Sequence, residues 1–177
     1  MKLKSLLAGI FVLAAVSQTV SCGDAQKEEN KNKKEIEEQS QFQKKITLDS
    51  IKSVQLTEKA QKETDEWMMY IALNSEVKRF DNYTLLDVVN NSETIEKVVD
   101  SLSITVPKQF DTKAIHARVV TLKTHANLLK ENSDRVEPKA TEIKDLSAKL
   151  KIDFNNLKIQ LNEVFIIEEN PDKSYKD

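Results

Sequence analysis

The sequence predicts an all-α protein, an antiparallel four-helix bundle preceded by a disordered, charged tether. Apolar residues beyond position 45 recur mostly at steps of three and four, which is the periodicity of amphipathic helices. The chain has two glycines, Gly9 and Gly23, and both precede the predicted domain. Because primed β-turns, phosphate-cradling loops and dinucleotide-binding turns depend on glycine, the sequence disfavours β-rich folds and nucleotide-binding folds. Four such helices joined by short links close most simply as a bundle.

The first two predicted helices are marked by a cap and an apolar stripe each. Asp49 or Ser50 is a suitable N-cap for the first, and Thr84 with Asp87 has the capping-box spacing for the second. The first stripe comprises Leu56, Ala60, Trp67, Tyr70, Ile71 and Val77. The second comprises Leu85, Val88, Ser92, Ile95, Val99 and Leu102.

Prolines separate the remaining two helices. After Pro107, Asp111 is predicted to cap the third helix, with Phe110 and Ile115 placed as a hydrophobic staple. A turn is predicted over residues 131–134, and Pro138 suits the first position of the fourth helix. The third stripe comprises Ile115, Val119, Leu122, Ala126 and Leu129, and the fourth Ile143, Leu146, Leu150, Phe154, Leu157, Leu161 and Val164.

The fourth segment carries a competing signal, because residues 150–154 and 157–161 each alternate apolar and polar residues around Asn155 and Asn156. That pattern is typical of a β-hairpin. The continuous three-and-four stripe and the lack of glycine favour a helix instead. Ile152, Ile159 and Ile166 recur every seven residues and would broaden the apolar face, as expected of the most buried helix of a bundle.

The N-terminus has the pattern of a secretion signal. Lys2 and Lys4 precede the apolar run of residues 6–16. As a helix this run would span about 16 Å, well short of the ~30 Å hydrocarbon core of a bilayer. It therefore fits a cleaved leader, residues 1–21, better than a permanent membrane span.

Directly after the leader lies the only cysteine, Cys22, preceded by Ser21. Ser17-Gln18-Thr19-Val20-Ser21-Cys22 resembles the lipobox of bacterial lipoproteins, with Thr19 where that family usually has leucine. The resemblance implies cleavage before Cys22, a diacylglyceryl group on its thiol and a third acyl chain on its new amino group. Gly23 resembles the outer-membrane sorting pattern. The competing interpretation is an ordinary secreted protein with one free thiol, which is a liability in an oxidising compartment.

Removing residues 1–21 leaves 25 basic and 29 acidic residues, a net charge of −4, because Lys2 and Lys4 are lost and no acid is. Such a chain lacks the concentrated basic surface of nucleic-acid-binding proteins. Residues 22–45 are charged and polar and are predicted to form a flexible tether. The bundle is assigned to residues 46–167 and a polar tail to residues 168–177.

The most distinctive string in the domain is Glu66-Trp67-Met68-Met69-Tyr70. The favoured interpretation makes Trp67 and Tyr70 core anchors with the methionines filling gaps beside them. The alternative is a ligand pocket lined by Trp67, Met68, Tyr70 and His116. His116 and His125 lie nine residues apart, on opposite sides of one helix and about 13 Å along it, so they cannot bind one metal ion together.

We therefore expect a lipid-anchored envelope protein at the outer membrane, with no cofactor, no metal and no catalytic set. Its bundle would act as a non-enzymatic binding or structural module with an envelope protein as partner. The alternative is a carrier of a small molecule or metal, with an inter-helix pocket near Trp67. An enzyme that uses carboxylates and lysines without a sequence motif is a third hypothesis.

Overall fold

A computed structural model of the chain describes residues 39–169, together with Lys33, Ile36 and Glu37, and only the backbone of residues 167–169. The described residues from Ile36 onward belong to one compact unit. This part is mostly helical and contains no β-strand, so the predicted all-α class is confirmed. The helices are α1 (Glu58–Thr64), α2 (Met68–Arg79), α3 (Leu85–Ile104), α4 (Lys113–Ser133) and α5 (Ala140–Glu169), with a 3-10 helix at Lys108–Phe110.

The apolar stripes predicted for the last three helices form the core. Every residue of the stripes on α3 and α4 is buried, and on α5 all are buried except the half-buried Val164. Helix α5 packs against each of the other four, most extensively against α4, and α4 packs equally extensively against α3. No helix in the described residues is long and apolar enough to cross a membrane.

Threonine side chains cap three of the helices, α1, α3 and α4. Thr84 and Asp87 form the predicted capping box, with each side chain bonded to the other's backbone N–H. The predicted cap at Asp111 is wrong, because the residue after it, Thr112, has the extended backbone of an N-cap and accepts a hydrogen bond from Ile115 N at 3.2 Å. Asp111 instead ends the 3-10 helix, donating its backbone N–H to Lys108.

The first predicted helix is in fact two, and it begins at Thr57 rather than after Asp49 or Ser50. Thr57 accepts a hydrogen bond from Ala60 N at 3.3 Å and caps α1. Residues 46–57 precede it without helix, and Ile46 and Leu48 enter the core. The break between α1 and α2 falls at Trp67, whose backbone (φ −94°, ψ 89°) is not helical.

Two other boundaries differ from prediction. Helix α4 continues to Ser133, through most of the predicted turn, and α5 begins at Ala140, two residues beyond Pro138. The backbone N–H of Ile143 bonds to Lys139 O, so Lys139 rather than Pro138 marks the first turn. Residues 150–161 are helical throughout, which excludes the hairpin.

The packed unit begins within the segment predicted as a tether. Phe42 packs against the core, and Lys45 forms an isolated antiparallel bridge with Thr84. Ile46 N donates to Tyr83 O at 2.8 Å. The leader, Cys22 and most of the predicted tether and tail lie outside the described residues.

The prediction that Ile152, Ile159 and Ile166 broaden the buried face of α5 is wrong. These side chains are 43–44% exposed, whereas Lys151 and Lys158 are each 6% exposed. Positions 151 and 158 each follow a core leucine, so they lie about 100° around the helix from it, on the side that α2 and residues 46–57 cover. Positions 152 and 159 lie a further ~100° around and face solvent.

Candidate functional site

The covered side of α5 is closed by residues 52–57, a segment without helix or strand, which two asparagines hold in place. Asn155 accepts from Val54 N at 3.0 Å and donates to Lys52 O at 2.9 Å. Asn162 accepts from Thr57 N at 2.8 Å and donates to Gln55 O at 3.0 Å. Each carboxamide thus pairs with one N–H and one C=O of the segment, as a neighbouring β-strand would.

The spacing of these asparagines matches the segment. Seven residues of helix rise by about 10.5 Å, and three residues of extended chain span about 10 Å. Asn155 and Asn162 are therefore in register with bonded groups three residues apart, at Val54 and Thr57. The match fixes the position of Ser53, which lies inside the stretch that the two asparagines hold.

A small cleft lies between α2, α5 and this segment. It has a volume of about 30 Å³, room for about two water molecules, since one needs about 10–15 Å³ of such space. Three lysines and one aspartate are its charged residues, a net charge of +2 within a domain of opposite overall sign. It is lined by Ser53, Asn74, Val77, Lys78, Asp81, Lys151, Phe154, Asn155 and Lys158.

Lys151 is the paired lysine of the cleft. Its Nζ contacts Asp81 Oδ1 at 2.6 Å, and Asp81 is half exposed while the lysine side chain is 8% exposed. An ammonium has three donor hydrogens, and this contact uses one. Lys151 therefore retains donor capacity.

Lys158 is the second buried lysine of the cleft, and its contacts differ from those of Lys151. Its Nζ donates to Ser53 Oγ at 3.2 Å and lies 4.8 Å from the centre of the Phe154 ring. No carboxylate of the described residues forms a salt bridge with it. Burial, and secondarily the charge of Lys78, lowers the pKa of Lys158 below its ordinary value of 10.5. A buried ammonium stabilised by one hydroxyl and one ring is incompletely compensated.

One residue of the cleft lining, Asn74, carries an acceptor without a partner. Asn74 Oδ1 is buried and has no hydrogen-bond partner within the described chain. Such a group normally costs about 1–3 kcal/mol unless water or a ligand satisfies it. Lysines with unused donor hydrogens and an asparagine with an unused acceptor therefore line the same small cleft.

The structure places two of the predicted pocket residues in the core. Trp67 and Tyr70 are each 3% exposed, and their rings stack at 5.9 Å. Trp67 also stacks on Phe110 at 6.1 Å, and its indole N–H donates to Thr105 Oγ1 at 3.1 Å. Burial, with a smaller contribution from Asp65, raises the pKa of Tyr70 well above 10.0. These contacts are those of core anchors.

The other two predicted pocket residues lie at the surface. The Met68 side chain is 68% exposed, and His116 is exposed and contacts Asp111 at 2.6 Å. The structure therefore does not bury these two with Trp67 and Tyr70. His125, on the same helix as His116, contacts Asp153 of α5 at 2.5 Å in a partly buried pair. The described residues contain no group of three or more His, Cys, Asp or Glu arranged to hold a metal ion.

No sequence motif predicts the lysine cleft. Lys151 and Lys158 are seven residues apart, which places them on one side of a helix, but lysines at that spacing usually face solvent. Asn155 and Asn162 repeat the same seven-residue step, and that shared period was the available signal. The period does not indicate which segment covers this side of α5, and that segment lies about a hundred residues earlier in the chain.

The chain was compared with protein-family models, curated proteins and solved structures. No family model matches it, and neither a curated protein nor a solved structure does. The geometry and the sequence are therefore the grounds for assigning a function.

Proposed function

We propose that this chain is a lipid-anchored bacterial lipoprotein of the outer membrane whose helical domain is a non-enzymatic binding module. Its long helices would pack as an antiparallel bundle, since α3, α4 and α5 are joined in turn by short connections and consecutive helices pack together. The main support is Cys22, the only cysteine of the sequence, which directly follows a short apolar leader that ends at Ser21. Its lipid would hold the domain at the membrane surface.

The binding energy of acyl chains and the composition of the residues after Cys22 support a lipid anchor. A single acyl chain binds a bilayer only marginally, whereas two or more, at about 0.8 kcal/mol per buried CH₂, give stable attachment. The polar residues that follow Cys22 have few sizeable apolar side chains, the composition of a spacer. An envelope protein remains the expected macromolecular partner, and the net charge of −4 after leader removal argues against nucleic acid.

The experiment is membrane fractionation of the full chain with Cys22→Ala, expressed in a bacterium and detected by immunoblot. We expect the wild type to sediment with membranes at mature size, and Cys22→Ala to remain unprocessed or appear in the soluble fraction. Ser17→Ala, in the leader but outside the four residues ending at Cys22, is the matched control and should behave as wild type. Membrane-bound Cys22→Ala of mature size would contradict the anchor.

A second candidate, a small-molecule carrier, is favoured by one specific observation, the cleft of Lys151 and Lys158. Its location differs from the pocket predicted near Trp67, where the aromatic rings fill the space themselves. Carrier and anchored module are compatible, because a tethered domain can present a ligand site. The charged and polar groups that line the cleft indicate which class of ligand it would bind.

A further inference from the structure

We propose that the cleft between α2, α5 and the 52–57 segment binds inorganic phosphate, with Lys151 and Lys158 as donors and Asn74 as acceptor. This deepens the proposed binding role by naming a ligand class, and it does not depend on the lipid anchor. Membrane fractionation tests the anchor and ligand titration tests the cleft, so failure of one proposal can be distinguished from failure of the other.

Charge is the first argument. The lysines at 78, 151 and 158 outnumber the single carboxylate, Asp81, so the cleft is positive although the mature chain is negative. A concave site whose charge is positive attracts a small anion. Lys78 is the exposed lysine of the lining and adds to this positive charge.

The unpaired ammonium of Lys158 is the second argument. A lysine that is 6% exposed normally faces a carboxylate, and this one faces a hydroxyl and a ring instead. Ser53 Oγ accepts from Nζ, and the remaining hydrogens of Nζ need acceptors. An anionic oxygen in the cleft would supply one and would offset the charge at the same time.

The unpartnered oxygen of Asn74 favours an anion that can also donate a hydrogen bond. Its buried Oδ1 needs a donor, and the ammonium groups of the cleft do not supply one. Inorganic phosphate at neutral pH keeps at least one P–OH, which can donate to Oδ1 while P–O⁻ oxygens accept from lysine. Sulfate and acetate carry no such proton at neutral pH, so either would leave Asn74 unsatisfied.

Size limits the ligand further. A volume of about 30 Å³ admits one or two oxygen atoms rather than a whole organic molecule. The rest of the phosphate would lie at the open mouth of the cleft. The contact of Lys151 with Asp81 can persist, because one of three ammonium hydrogens serves it.

The test is isothermal titration of the full chain in detergent, at pH 7 and low, constant ionic strength, with inorganic phosphate, sulfate, acetate and glycerol phosphate in separate arms. We expect saturable binding of phosphate, with sulfate and acetate weaker by at least about tenfold because Asn74 stays unpaired. Equal binding of sulfate, tighter binding of glycerol phosphate, or no binding of phosphate would overturn the proposal.

Variants locate the site. Lys158→Met should weaken phosphate binding by at least about tenfold, since it removes a charged donor. Lys149→Met, on the same helix but exposed and paired with Asp145 at 2.7 Å, is the matched control and should bind as wild type. Asn74→Leu should reduce the preference for phosphate over sulfate. Unchanged preference in Asn74→Leu, or unchanged affinity in Lys158→Met, would contradict the assignment.

Lys151→Met provides a second test of the site in case Lys158→Met fails to fold. It removes the second donor and should weaken phosphate binding in the same direction, and a folded circular-dichroism spectrum qualifies each variant for titration. Wild-type affinity in a folded Lys151→Met protein would also count against the site.

Discussion

Lys158 holds a charge where the fold gains little from it. Its head group lies against Phe154 and Ser53 under the 52–57 segment, and Lys78 is close enough to repel it. In the absence of an anion, this arrangement lowers stability, because a buried ammonium loses hydration that one hydroxyl does not replace. Retaining such a residue is typical of binding sites, where stability and function oppose each other.

The stability of Lys158→Met follows from this. In buffer without phosphate, we expect the free energy of unfolding to rise by about 1–3 kcal/mol, because methionine fills similar space without a charge. Urea denaturation followed by tryptophan fluorescence measures it. Lys149→Met should change the value by less than about 0.5 kcal/mol. A marked fall in stability for Lys158→Met would show that its charge is stabilising after all.

Alkaline pH gives a second test at the same residue. The pKa of Lys158 is lower in the folded state than in the unfolded state, so the unfolded state binds more protons between that lowered pKa and 10.5. The free energy of unfolding should therefore rise with pH in this window, modulated by the neighbouring Lys78, Lys151 and Asp81. The rise should be absent in Lys158→Met.

Tyr70 opposes this trend at higher pH. Burial raises its pKa, so above about pH 10 the unfolded state releases a proton that the folded state keeps, and stability falls. Urea denaturation at a series of pH values should show a shallower fall for Tyr70→Phe than for the wild type. Identical alkaline slopes for the two proteins would contradict the burial of the phenol.

At the scale of elements, α5 organises the domain, since it contacts every other helix and also fastens the 52–57 segment. The fastening uses side-chain carboxamides in place of a β-strand. It gives a segment without secondary structure a defined register, and it covers Lys158 through Ser53.

Substitution of the two asparagines tests this fastening. Asn155→Ala and Asn162→Ala should each lower the free energy of unfolding by about 1–2 kcal/mol, because each removes two hydrogen bonds to the backbone. Amide hydrogen exchange at Val54 and Thr57 should accelerate in the corresponding variant. Asn156→Ala, one residue along and without a described side-chain hydrogen bond, is the control; equal effects at all three positions would argue against specific fastening.

The stripes on α3, α4 and α5 could be read from the sequence because burial on one side of a helix imposes a period of three and four, as at Val88, Ile95 and Leu122. Capping was predictable at Thr84, where a partner lies three residues away. The break at Trp67 was not, since no glycine or proline marks it and the Trp67 ring packs against Phe110, which is 43 positions later in the chain. The lysine cleft was missed for the same reason, because Ser53 and Lys158 meet only through tertiary packing.

At the scale of the whole molecule, we propose that Cys22 anchors a helical domain that carries a small cationic cleft. Trp67, Tyr70, Phe110 and Phe154 pack ring against ring in the core, and the cleft, which Phe154 also lines, is partly open to solvent. A site of that kind stays accessible when the domain is held at a membrane. The predicted pocket near Trp67 is thereby replaced by the cleft as the place where we expect a ligand.

The intact mass of the protein isolated from bacterial membranes tests the central claim most directly. The account predicts a chain that begins at Cys22 and carries the mass of a diacylglyceryl group and an amide-linked acyl chain, with the modification localised to the N-terminal peptide. A chain that begins elsewhere, or an N-terminal Cys22 with an unmodified thiol, would contradict it.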